Sequence, residues 1–122
     1  MDPMDPMAEA DCLFCKIRDG KIPADIVHRD DDVLAFKDIH PGAPHHVLVI
    51  PLRHITGLDH AVAEDAALFG KLMVTGARLA KEAGYGQSGF RVVMNVGPDA
   101  GQSVLHAHLH VLGGRQLAWP PG

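Results

Sequence analysis

Val104-Leu-His-Ala-His-Leu-His-Val-Leu112 sets a histidine at every second position of an apolar run. Side chains alternate faces along a strand, so His106, His108 and His110 share one face. Leu105, Ala107, Leu109 and Val111 take the other and need a hydrophobic cover. Twice the rise per residue puts successive rings roughly 6–7 Å apart. Gly113-Gly114 ends the strand, and Gly97 to Gly101 turns the chain out of a preceding strand over Phe90 to Val96.

The cover lies upstream. Across Ala63 to Ala83, Leu68, Phe69, Leu72, Met73, Gly76, Leu79, Ala80 and Ala83 recur at helical spacing. Glu64 and Asp65 suit the positive end of that helix, and Gly84 suits its stop. His46-Val-Leu-Val-Ile-Pro51 is a near-continuous apolar run of strand length between prolines, and reads as a buried central strand. Ile26 to Phe36 reads as a hairpin around Arg29-Asp30-Asp31-Asp32. Asp11 to Asp19 reads as a short helix capped by Asp11 and stopped by Gly20 and Pro23. Strands that do not alternate with helices argue an α+β domain, an antiparallel sheet with a helix on one face. Residues 1–10 read as a flexible leader and 11–122 as one domain.

At 122 residues, 47 % hydrophobic and 21 % charged, the chain can bury a core of its own without staples. A net charge of −4 argues against nucleic acid as the main partner, since a duplex binder carries a basic face. No run approaches the roughly 18 apolar residues of a membrane span, so no membrane is expected. Met1 to Glu9 is acidic, without the basic and apolar regions of a signal peptide, and the expected compartment is the cytoplasm. In that reducing setting the Cys12-x-x-Cys15 pair points to metal or redox use before a structural disulfide.

Histidine supplies the chemistry. Rings this close disfavour simultaneous protonation, which spreads their pKa values and lets neighbours take different roles. Imidazole reaches both its neutral nucleophilic form and its cationic donor form near neutral pH. One ring of such a row can attack phosphorus while another serves the leaving group. The preceding turn, Asn95-Val-Gly-Pro-Asp-Ala-Gly101-Gln102-Ser103, offers backbone amides and a hydroxyl to phosphate oxygens.

Asn95…Gly101-Gln102-Ser103-Val104…His106-Ala-His108-Leu-His110-Val111-Leu112 resembles the His-φ-His-φ-His-φ-φ signature of the histidine triad (HIT) family, φ being apolar. The tail Gly113-Gly114-Arg115-Gln116…Trp119-Pro120-Pro121-Gly122 is similar to the Hint branch in particular. So are Phe14-Cys-Lys-Ile17, Lys21-Ile22-Pro23-Ala24, Leu34-Ala-Phe36-Lys-Asp38-Ile39 and His46-Val-Leu-Val-Ile50-Pro51. The resemblance runs from about residue 12 to 122.

It implies a five-stranded antiparallel sheet with one long and one short helix, continued across a homodimer into ten strands. It also implies hydrolysis of purine nucleoside phosphoramidates or related AMP-linked substrates at the α-phosphorus, with AMP as product. By that resemblance His108 attacks, His110 sits by the leaving group, and His106 and His46 support the nucleophile's tautomer and orientation. Ser103, Asn95 and backbone around Gly101 and Gln102 meet phosphate oxygens. Asp38 takes the ribose hydroxyls, with Phe14, Ile17, Ile22, Ile39 and Leu48 around the base. The family's transferase branch has Gln at the third triad position, and His110 here favours hydrolysis.

A Cys-x-x-Cys beside a short helix is common zinc geometry. Some bacterial HIT proteins pair it with a histidine placed like His54 and with the first triad histidine. That resemblance implies a structural Zn2+ on Cys12, Cys15, His54 and His106, with no metal needed for the chemistry. The rigid apolar tail Trp119-Pro120-Pro121-Gly122 implies docking against the partner's site. Two rivals remain: a nucleotide-binding regulatory module with little turnover, and a structural zinc protein. No spacing assigns a role to His28, His40, His45 or His60.

Overall fold

Cys12, not Asp11, caps the first helix, because its sulfur accepts the Cys15 amide N–H at 3.4 Å. In the computed structural model, which describes residues 9–122, that helix is α1, Leu13–Arg18. Asp11 belongs instead to a 3-10 turn, Glu9–Asp11. Of the expected leader, residues 1–8 lie outside the described residues, and Glu9 and Ala10 are already in that turn. Gly20 follows at φ +75°, a conformation glycine adopts without a Cβ penalty.

The strands are β1 (Ile26–Arg29), β2 (Val33–Lys37), β3 (His45–Pro51), β4 (Phe90–Val93) and β5 (Leu109–Gly113). They form one five-stranded sheet in the order β1-β2-β3-β5-β4, every neighbouring pair antiparallel. The long helix α2 spans Ala66–Glu82, entered through a 3-10 turn at Ala63–Asp65. That turn tightens the start expected at Ala63, because the Asp65 carboxylate reaches back to the Val62 amide at 3.0 Å and pairs with Arg53. At the far end the Gly84 N–H meets the Lys81 carbonyl and the Tyr85 N–H meets the Ala80 carbonyl, both at 3.0 Å. This is a Schellman closure, and Gly84 supplies its φ of +99°.

Both faces of the central strands are covered, which explains why β2 and β3 read as unbroken apolar runs. Val33, Ala35, Val47 and Val49 pack with Leu109 and Val111 under Leu72, Leu79 and Ala80 of α2. Leu34, Phe36, Leu48 and Ile50 face the other way, under Phe14, Cys15 and Ile17 of α1. The expected single helical cover is therefore half of the packing. The helix lies tight against the sheet at Gly76, where an added Cβ would lie 2.8 Å from Val111 Cγ2.

Two strands are shorter than the sequence implies. β5 begins at Leu109 rather than Val104, because its partner β3 ends in Pro51, which has no N–H to continue the ladder. β4 stops at Val93, opposite His110, and leaves Asn95 and Val96 out of the ladder. Among the described residues, no helix is long and apolar enough to cross a membrane.

Candidate active site

Where β5 enters the sheet, the histidines separate into two groups. His108 and His110 stay together, ring centroids 5.0 Å apart, closer than an ideal strand would set them. His106, wholly buried, lies before the strand and turns towards the cysteines, its ring centroid 5.0 Å from that of His54. The three remain on the α1 side, where the Phe14 ring meets both His106 and His108 edge-on. The expected even row is thus a pair plus one, because residues 104–108 are not held by strand pairing.

His108 Nδ1 lies 2.8 Å from the carbonyl oxygen of His106. A carbonyl only accepts, so Nδ1 carries the hydrogen and Nε2 keeps its lone pair. His108 is 4 % exposed, and burial holds its pKa below the ordinary histidine value. Neutral at physiological pH with its lone pair on Nε2, it has the form a nucleophile needs.

His46 pairs with His110 and not with His108. Its Nε2 lies 2.9 Å from His110 Nδ1 and 3.4 Å from Asp38 Oδ2, while its Nδ1 accepts the Gly42 amide N–H at 2.9 Å. Its support goes to His110. The support expected from His106 comes through its main-chain oxygen, not its ring. Burial, followed by the neighbouring His108 and His46, pushes the His110 pKa down to about 4.

His108 and His110 open on a cleft of about 270 Å³. Phe14, Ile17, Ile22 and Leu48 line it with Asp38, Ile39, Ser103, His108 and His110, all residues that the family resemblance had singled out. Ile39 stands at its mouth, 82 % exposed. The sequence did not nominate Leu13, Pro23, Phe36 or His40, which also line it.

Asn95, Gly101 and Gln102 are not among the lining residues. The Gln102 side chain braces the turn, accepting from the Gly97 amide and donating to the carbonyls of Thr56 and Val104. The Gly101 and Gln102 amides close the turn on Pro98 and Gly97. Of residues 95–103, Ser103 lines the cleft. A second hollow of about 400 Å³ lies beside Asp31, Asp32, Arg53 and Lys71. Lys71 is paired there with Asp30 and Asp32, and Arg53 with Asp65, so its charges answer one another.

Cys12, Cys15, His54 and His106 bring one donor atom each to within 4.8 Å of all the others. Cys12 Sγ and Cys15 Sγ lie 3.4 and 3.5 Å from His106 Nδ1, Cys15 Sγ 3.5 Å from His54 Nδ1, and the two ring nitrogens 3.2 Å apart. Zinc bonds of about 2.3 Å to sulfur and 2.0–2.1 Å to nitrogen, at tetrahedral angles, require edges of about 3.5 Å and 3.3 Å. The donors fit. His106 Nε2 donates to the Pro51 carbonyl at 2.9 Å, which turns the Nδ1 lone pair to the thiols, as an outer partner of a metal-bound histidine does. Burial, followed by the neighbouring Cys12, pushes the Cys15 thiol up to about 12.

The HIT domain model matches residues 19–117. The chain belongs to the HIT family. Two curated HIT-like proteins, both described as uncharacterised, are similar to it. That of Synechococcus elongatus is 52 % identical over 112 residues, covering 92 % of this chain and 97 % of its own. That of Synechocystis is 50 % identical over 116 residues, covering 95 % and 100 %. Among solved structures, a HIT family hydrolase from Legionella pneumophila superposes with a TM-score of 0.89 at 47 % identity, covering 91 % of this chain and 99 % of that one. A histidine triad protein from Clostridium difficile gives 0.87 at 44 % identity, covering 92 % and 97 %.

The lowered His110 pKa gives this HIT domain a pH signature. The free histidine titrates near 6.5, so between that pH and about 4 the unfolded chain binds a proton that folded His110 refuses. The stability His110 contributes is whole above pH 6.5 and is lost as pH falls towards 4. Thermal melts should therefore show a lower Tm at pH 5 than at pH 7, and His110→Gln should reduce the difference. An equal pH dependence in the variant would contradict this.

Proposed function

We propose that the protein is a nucleotide hydrolase of the Hint branch, cleaving purine nucleoside phosphoramidates or related AMP-linked substrates at the α-phosphorus. The hydrogen bond from His108 Nδ1 to the His106 carbonyl carries this reading, because it fixes Nε2 as an attacking lone pair beside the cleft. As Nε2 bonds to phosphorus, the bond to the leaving nitrogen breaks and that nitrogen takes up a proton to leave as the amine. The resulting imidazolium–phosphorus adduct keeps its Nδ1 hydrogen on the His106 carbonyl, which favours the cation. Water then displaces His108, returns a proton to solvent and releases AMP.

Asp38 takes the ribose hydroxyls at one end of the cleft, Phe14, Ile17, Ile22, Ile39 and Leu48 flank the base, and Ser103 meets a phosphate oxygen. Cys12, Cys15, His54 and His106 would hold a structural zinc ion, which binds α1 to the sheet and supplies no step of the reaction. Incubation with adenosine phosphoramidate tests the proposal. Stoichiometric AMP release supports it, and nucleotide binding without AMP release would favour the regulatory module instead.

A symmetric homodimer belongs to the same proposal. β4 lies at the sheet edge with Phe90–Val93 half-buried, Met73 and Val74 stand exposed on α2, and Trp119 is 80 % exposed. Sedimentation at micromolar concentration should return twice the chain mass of 13.1 kDa. Deleting residues 117–122 should alter leaving-group selectivity more than it alters the melting curve. A monomer mass would overturn the dimer.

A further inference from the structure

We propose that His46 is a positioning residue: clamped by the Gly42 amide, it locks His110 in the tautomer that presents an Nε2–H to the cleft. The backbone N–H of Gly42 can only donate, so the nitrogen it meets, His46 Nδ1 at 2.9 Å, must accept. The single hydrogen of neutral His46 therefore sits on Nε2. Its nearest partner is His110 Nδ1 at 2.9 Å, with Asp38 Oδ2 further off at 3.4 Å. His110 Nδ1 must then accept, and the hydrogen of neutral His110 is forced onto Nε2. One backbone amide, in the Pro41-Gly42-Ala43-Pro44 bend before β3, thus decides the protonation of a ring two hydrogen bonds away.

The two tautomers of the pair are complementary. His108 offers its Nε2 lone pair because Nδ1 donates to the His106 carbonyl; His110 offers an Nε2–H because Nδ1 accepts from His46. A lone pair beside a donor, 5.0 Å apart between ring centres, suits attack on phosphorus with a hydrogen bond waiting for the leaving atom. The same clamp argues against a second metal at Asp38, His46 and His110, whose donor atoms lie within 4.8 Å of one another. A cation there would need the Nε2 lone pair of His46, which would move the hydrogen to Nδ1 and set it against the Gly42 N–H.

The structural half of this inference is independent of the proposed reaction; the leaving-atom half rests on it. Long-range 1H–15N correlation of the histidine rings in the free protein at neutral pH reads the tautomers directly. The expected spectrum shows His46 and His110 each protonated on Nε2 and bare on Nδ1. A hydrogen on His110 Nδ1 would overturn the proposal, whatever the substrate proves to be. His46→Phe removes the donor and should release His110 into a mixed tautomer. With an amine leaving group kcat should fall by about tenfold to a hundredfold, with KM little changed and a smaller loss for a leaving group that needs no hydrogen bond. His46→Gln, which keeps an N–H able to reach His110, should restore most of kcat. Equal losses for both leaving groups, with no rescue by Gln, would reduce His46 to a packing residue.

Discussion

Replacing His108 with alanine should lower turnover of an adenosine phosphoramidate by at least about a thousandfold, a barrier rise of about 4 kcal/mol, while AMP binding changes little. Two features set so large an effect. The lone pair on Nε2 is fixed by the Nδ1 hydrogen bond to the His106 carbonyl. His110 cannot take over, because its own Nδ1 already faces His46 and its Nε2 carries the hydrogen. AMP binding survives because the apolar walls, Asp38 and Ser103 are untouched. Stopped assays for rate and calorimetry for AMP check the two halves separately. A variant within about tenfold of wild type would place the nucleophile elsewhere.

Loss of the proposed zinc should have the largest effect on stability. Cys12 and Cys15 are 0 % and 1 % exposed and sit in the core that joins α1 to the sheet, with Phe14 and Ile17 beside them. Without a cation the pocket leaves two thiols and two imidazoles whose arrangement rests on weak hydrogen bonds. Cys12→Ala with Cys15→Ala, or prolonged chelation, should cost several kcal/mol and lower Tm by about 10 °C or more. Turnover below the new Tm should fall far less, because the ligands touch neither the phosphorus nor the leaving atom. Elemental analysis should give close to one zinc per chain, and less than about 0.2, with both thiols titrating freely before unfolding, would refute the site.

The alternation in residues 105–111 was legible because three histidines share one face and only apolar residues occupy the other, the pattern a half-buried strand writes most clearly. The unbroken run Val47–Ile50 signalled burial but not its cause. A continuous apolar strand is covered on both sides, and only the fold shows that the second cover is the short α1 segment. His106 was misread as part of an even row because alternation assumes a ladder, and the ladder ends where Pro51 can no longer donate.

Asp38, Ser103 and the apolar lining came through the family resemblance, since no local pattern separates a cleft wall from core. Asn95 and Gln102 show the reverse. A glycine-rich turn before a histidine strand looks like a phosphate cradle, yet its amides and the Gln102 side chain close the turn itself. The Gly42 clamp left almost no trace. Its one signal is the Pro-Gly-Ala-Pro bend four residues before His46, and backbone amides carry no residue code.

The reaction's central step can be caught directly. Wild-type protein mixed with excess adenosine phosphoramidate and quenched in base within one turnover should gain the mass of one adenylyl group, mapping to the peptide that contains His108. The adduct should be labile to acid and disappear as AMP accumulates. AMP formed during the first turnover with no adduct on the protein, or an adduct on another residue, would contradict nucleophilic attack by His108.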